Sequence, residues 1–244
     1  MYELMLDTAN LSDIREGIAA WPISGVTTNP SILRKEGDID VYSRLAEIKK
    51  LCGSQRSLHV QTVSTTTREI IEEARFILDR LGCDVYVKIP VSAAGLPAIK
   101  TLVSEGVKVT ATAIYTTMQG ILAGLAGADY IAIYLNRMEN NCIDPFVVIS
   151  EIRSFLDGMN SRSKILAASF RNISQVTSAF ASGAKGATVG AEIIRAALGM
   201  PSINAAIEAF MEDFEAIHGA GQTMMTITKM KKAAVNSAAF LRLK

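Results

Sequence analysis

The sequence predicts an α/β fold: a single (β/α)8 TIM barrel with an additional C-terminal helix. Three observations lead there. Eight short runs of strand composition recur along 244 residues. Amphipathic helical segments separate most of them, which specifies parallel strands joined by crossovers. The total length is close to the ~250 residues of such a barrel. A doubly wound open sheet is the alternative. The glycine-rich dinucleotide fingerprint it would carry after its first strand is replaced by Asp7-Thr8-Ala9-Asn10.

In chain order, strands are expected over residues 4–7, 25–29, 58–63, 85–90, 107–113, 130–136, 164–169 and 187–190. The third sets Leu58, Val60 and Thr62 against His59, Gln61 and Val63, and a helix over 68–81 follows it. That helix carries Ile70, Ile71, Ala74, Ile77, Leu78 and Leu81 on one face and Glu69, Glu72, Glu73, Arg75 and Asp79 off it. The fourth strand sets Val85, Val87 and Ile89 against Tyr86 and Lys88, and the fifth sets Val109, Ala111 and Ala113 against Lys108, Thr110 and Thr112. The sixth sets Ile131, Ile133 and Leu135 against Ala132, Tyr134 and Asn136; a loop over 138–145 then leads into a helix. The seventh sets Leu166, Ala168 and Phe170 against Ala167, Ser169 and Arg171. Helices are expected over 174–182 and 203–217. Gly219-Ala220-Gly221 marks a break, so the barrel is taken as 1–218 and the tail as 219–244. A tail helix over 226–243 is expected to pack on a neighbouring subunit or back on its own barrel.

Composition narrows the function classes. The net charge is +1, from 25 basic and 24 acidic residues, so no basic field draws nucleic acid or an anionic membrane. The three cysteines, Cys52, Cys83 and Cys142, form neither a disulfide framework nor a metal-binding spacing. With only two histidines, His59 and His218, a zinc site or histidine triad is not expected. His59 is read as a satisfied core histidine. No signal-peptide pattern opens the chain and no apolar run reaches about 18 residues, so a cytoplasmic protein is expected.

Parity carries the functional signal. Side chains alternate across a strand, and a barrel turns one face to its helices and the other inward. Asp7, Asn29, Gln61, Lys88, Thr112, Tyr134 and Ser169 all stand at C-terminal strand ends and are expected on the inward face. Barrel enzymes concentrate their chemistry at that rim. Lys88 is the most informative of them. An amine within the apolar run 85–91 either snorkels to water or is desolvated for chemistry. A desolvated amine becomes a nucleophile for carbonyl carbon.

Six segments are recognisable: Leu6-Asp7-Thr8-Ala9, Gly25-Val26-Thr27-Thr28-Asn29-Pro30-Ser31-Ile32, Val87-Lys88-Ile89-Pro90-Val91, Gly95-Leu96-Pro97-Ala98-Ile99-Lys100, Leu135-Asn136-Arg137 and Ile165-Leu166-Ala167-Ala168-Ser169-Phe170-Arg171. Through them the chain resembles the transaldolase family, most closely its short branch, the fructose-6-phosphate aldolases. The resemblance implies a Schiff-base aldolase barrel with no metal and no organic cofactor. Lys88 matches the Schiff-base lysine, and Asp7 the carboxylate that handles protons at the substrate hydroxyls. Asn29 and Thr27 match substrate-orienting groups. Gln61, Thr112 and Tyr134 match a trio around a catalytic water, with Tyr134 as acid/base. Arg137, Ser169 and Arg171 match the phosphate end, where a sulfonate would also fit.

Transaldolases of the family carry glutamate at the Gln61 position and phenylalanine at the Tyr134 position, so the resemblance favours an aldolase. It implies cleavage of fructose 6-phosphate to dihydroxyacetone and glyceraldehyde 3-phosphate, and a homo-oligomer, often a pentamer-based ring. Two readings stand beside it: transfer of the dihydroxyacetone unit between sugar phosphates, and a barrel that binds sugar phosphates without turnover.

Overall fold

The computed structural model describes residues 2–227; the tail helix expected over 226–243 falls beyond them apart from its first two residues. Eight parallel strands close into one barrel in sequence order, with β8 pairing back to β1. The elements run β1 (Glu3–Asp7), α1 (Leu11–Ala20), β2 (Gly25–Thr27), α2 (Pro30–Lys35), α3 (Val41–Cys52), β3 (Ser57–Gln61), α4 (Thr67–Leu81), β4 (Tyr86–Pro90) and α5 (Gly95–Ser104). They continue with β5 (Val109–Ile114), α6 (Thr117–Leu125), β6 (Tyr130–Tyr134), α7 (Leu135–Glu139), α8 (Pro145–Gly158), β7 (Lys164–Ala168), α9 (Ile173–Ala181), β8 (Gly186–Val189), α10 (Ala191–Leu198) and α11 (Pro201–His218). The chain divides into two compact units, residues 1–194 and the part from Arg195 onward; α11 belongs to the second. Among the described residues no helix is long and apolar enough to cross a membrane.

α4 shows how the sequence sets an element. Thr66 caps it: its hydroxyl accepts from the Glu69 amide and donates to the Glu69 carboxylate. Its buried residues are Ile70, Ala74, Ile77 and Leu81, one stripe at helical spacing. Gly82 ends it at φ 102°, a conformation open to glycine.

The core is layered by strand parity. Val87, Ile89, Val109, Ala111, Ile131, Ile133, Ile165 and Ala167 face outward and pack on Ile99, Leu102, Ile149, Ile152 and Leu156 of α5 and α8. Each Val, Leu or Ile among them contributes roughly 1.5–3 kcal/mol when fully buried, and each Ala less. Inside, Met5, Tyr86, Tyr130 and Leu166 fill the N-terminal half. His59 stacks on Tyr86 at 4.6 Å between centroids, and its two ring nitrogens lie 2.8 Å from the Thr110 hydroxyl and 2.9 Å from the Ser57 hydroxyl. Below it Glu3 accepts from Tyr130 at 2.8 Å and from Lys164 at 2.6 Å. This polar and aromatic plug floors the C-terminal half, where the candidate site lies.

The strand ends differ from the pattern in three instructive places. β6 stops at Tyr134, because Leu135 onward turns into α7 rather than extending to 136. β5 carries a bulge: its register shifts between Ala111 and Ile114, and Ala113 sits at φ 56°. Ile114, not Ala113, therefore joins Ala111 in the outer core. In β7 the inward positions belong to Leu166 and Ala168, which pair with the inward Ala132 and Tyr134. This corrects the sequence expectation of Ser169 on the inward face: by alternation Ser169 takes the outward parity. It turns toward the rim because its backbone is left-handed, at φ 64°. Phe170 is then sent to the outer clusters.

Candidate active site

A cavity of about 500 Å³ opens at the C-terminal end of the strands, a size suited to a small ligand. Lys88 projects into it from β4 and is only 3% exposed. Its Nζ donates to the backbone oxygen of Thr28 at 2.9 Å. Burial lowers its pKa from the ordinary 10.5, and the negative charge of Asp7 opposes that shift. The Asp7 carboxyl is raised by burial, which outweighs the charge of Lys88, the Thr27 hydroxyl and the charge of Lys35. Burial thus pushes both members of the pair toward neutrality, while each charge holds the other.

Asp7 is oriented by its neighbours on either side of β1. Thr27 on β2 donates to Asp7 Oδ1 at 2.6 Å. The Thr27 and Thr188 hydroxyls are also 2.6 Å apart. Thr27 has one hydroxyl hydrogen, so when it serves Asp7 the proton between the threonines comes from Thr188. Thr27 is fully buried and does not line the cavity, so its contact is with Asp7. Asn29 does line the cavity. Its Oδ1 accepts from the Ile32 amide at 3.0 Å as the cap of α2, which leaves its amide NH2 as the group available to a ligand.

Of the trio expected around a water, two members meet. Thr112 donates to the Tyr134 phenol at 2.9 Å. Burial raises the phenol pKa, against the Thr112 bond, which lowers it. Gln61 is the register partner of Lys88, yet it bonds neither Thr112 nor Tyr134. It lines two hollows beside the central cavity, with Tyr42 and Ile77 in one and Thr62 and Pro90 in the other. Its Oε1 is buried without a hydrogen-bond partner among the described residues. An acceptor so placed costs about 1–3 kcal/mol until a donor reaches it.

The opposite wall is cationic. Arg137, on α7, lies with its guanidinium 4.9 Å over the Tyr134 ring and 3.5 Å from the Tyr115 hydroxyl. Ser169 and Arg171 join it in the cavity lining. The Ser169 carbonyl accepts from the Asn136 amide at 3.0 Å, which ties the end of β7 to the start of α7. Guanidinium groups beside a hydroxyl suit an oxyanion with several acceptor oxygens.

The structure adds Ser31, Lys35, Asn136, Asn140, Thr188 and Glu192 to the lining. Thr188 was within reach of parity, since it shares the inward face of β8 with Gly186. Lys35 and Glu192 stand on helices beyond the strand ends, where strand alternation is silent. Among the described residues no group of three His, Cys, Asp or Glu side chains is placed to hold a metal ion.

Residues 4–240 match the family described as transaldolase/fructose-6-phosphate aldolase. A protein of Streptococcus pneumoniae (strain ATCC 700669 / Spain 23F-1) named "Probable fructose-6-phosphate aldolase" is 47% identical over 212 residues, covering 87% of this chain and 96% of that one.

Proposed function

The chain belongs to the transaldolase/fructose-6-phosphate aldolase family of transaldolase-like carbon–carbon lyases, and on that premise we propose a Schiff-base aldolase that cleaves and forms fructose 6-phosphate. The neutral Lys88 amine attacks the C2 carbonyl, and loss of water leaves an iminium. Asp7 takes the proton of the C4 hydroxyl as the C3–C4 bond breaks. Glyceraldehyde 3-phosphate leaves, and the iminium accepts the electron pair to become an enamine. Tyr134 supplies the proton that C3 then needs, and water hydrolyses the new iminium to free dihydroxyacetone and the amine. Arg137, Ser169 and Arg171 hold the phosphate.

One observation carries this reading: a nearly inaccessible lysine shares a cavity with a carboxylate and with a phenol whose oxygen already accepts from Thr112. Burial enlarges the neutral fraction of the amine, which is the form that attacks. The name of the S. pneumoniae relative supports the same substrate. Transfer to a second aldehyde follows from the same enamine whenever its protonation is slow. The deciding experiment supplies fructose 6-phosphate with no acceptor beyond its own products, and an enzyme that removes glyceraldehyde 3-phosphate. Stoichiometric release of dihydroxyacetone supports the aldolase; a strict requirement for added aldehyde contradicts it.

A further inference from the structure

Lys35 lies in the last turn of α2 and lines the cavity, yet no step above uses it. In the closed order of eight strands, β2, which leads into α2, stands across the barrel from β6. The cations that face a ligand therefore approach from two sides: Arg137 and Arg171 from the ends of β6 and β7, and Lys35 from the far rim. The charge of Lys35 extends into the cavity, where it acts on Asp7. The carboxylate next to it in sequence is engaged elsewhere, since Glu36 pairs with Arg44 at 2.7 Å. Lys35 itself makes no ion pair within 4.0 Å among the described residues.

A charge balance of the lining shows why this cation matters. Once Lys88 acts as a neutral amine, the positive groups are Lys35, Arg137 and Arg171, against Asp7 and Glu192. Without Lys35 the lining is neutral toward a dianion. A lysine on a flexible stem is a point charge that can follow a ligand, in contrast to the fixed guanidinium fork.

We propose that Lys35 is a further specificity-determining residue: it engages the substrate's phosphate from the rim opposite Arg137 and Arg171 and so selects phosphorylated over neutral sugars. The proposal rests on the aldolase reading for its substrate, but its test does not depend on turnover. Lys35→Ala and Lys35→Arg are compared with the wild-type protein on fructose 6-phosphate and on unphosphorylated fructose, and by calorimetric titration with inorganic phosphate. Loss of one charge-assisted contact weakens phosphate binding roughly three- to tenfold. We expect Lys35→Ala to raise KM for fructose 6-phosphate by that factor, more than it lowers kcat. The effect on fructose should be smaller, and Lys35→Arg should recover most of the loss. Equal effects on both sugars would mean that Lys35 acts through Asp7, and would overturn the proposal. So would phosphate binding unchanged in Lys35→Ala. If the wild-type protein turns over neither sugar, the aldolase reading fails, while the phosphate titration still decides the role of Lys35.

Discussion

Thr112 donates its hydroxyl hydrogen to the phenol oxygen of Tyr134 across 2.9 Å, between adjacent strands β5 and β6. The phenol's own hydrogen is thereby free for another acceptor. Burial raises the phenol pKa, so the group stays a neutral acid at physiological pH. Thr112 faces inward by alternation with Thr110, and the bulge at Ala113 turns Ile114 to the outer core.

That geometry predicts the fate of the enamine. In Tyr134→Phe the proton donor is gone, and free dihydroxyacetone should fall relative to transferred product by at least about tenfold. Thr112→Val should lower the ratio less, because the phenol remains. One assay at fixed aldehyde concentration, in which protonation and aldehyde compete for the enamine, gives the ratio directly; an unchanged ratio in Tyr134→Phe would refute the proposed proton donor.

Lys88 and Asp7 make a prediction about pH. Burial lowers the lysine pKa below 10.5, and the Asp7 charge pulls it back up. The neutral amine therefore grows as pH rises toward that lowered value, and Schiff-base formation should rise with pH and level off before 10.5. In Asp7→Asn the upward pull is removed, so the rise should begin at lower pH even though turnover is lost. The rate of borohydride trapping against pH measures this without turnover; a limb that stays in place or moves upward contradicts the pairing.

Thr27 should act through Asp7. Its hydrogen bond lowers the carboxyl pKa against the larger effect of burial. In the proposed mechanism Asp7 acts as the carboxylate, so activity should be lost as pH falls through its pKa. Thr27→Val should raise that pKa, so the acid limb of kcat/KM moves to higher pH. Loss of a charge-assisted bond also predicts a fall in kcat of about tenfold or more. A fall in kcat with an unmoved acid limb would indicate packing alone.

His59 predicts a stability effect remote from catalysis. Burial, and then the charge of Lys88, hold its pKa well below 6.5. The unfolded chain binds a proton near 6.5 that the folded protein refuses, so stability should fall as pH drops below that value. One such proton gives a slope of at most about 1.4 kcal/mol per pH unit. Chemical denaturation of wild-type and His59→Gln proteins across this range should show a shallower slope in the variant; equal slopes would assign the effect to other groups.

Much of this site was legible in the sequence. Asp7, Lys88, Thr112 and Tyr134 follow from alternation, because inward polarity at a strand end has few structural reasons. Alternation did not foresee that Ser169 reaches the cavity through a left-handed backbone, since no residue type demanded it there. It also could not separate Thr27, buried against Asp7, and Thr112, buried against Tyr134, from residues that line the cavity. Gln61 shares the parity of Lys88's neighbours, but its side chain faces the hollows alongside rather than the Thr112–Tyr134 pair. Lys35 and Glu192 enter from helices, where no two-residue period reports which side chains reach the rim.

Covalent capture tests the central claim most directly. Wild-type protein is incubated with fructose 6-phosphate, reduced with borohydride, digested and mapped by mass spectrometry. The account predicts a reduced dihydroxyacetone adduct on the peptide that contains Lys88, and none there in Lys88→Met. No adduct, or one on another lysine with Lys88 unmodified, would contradict it.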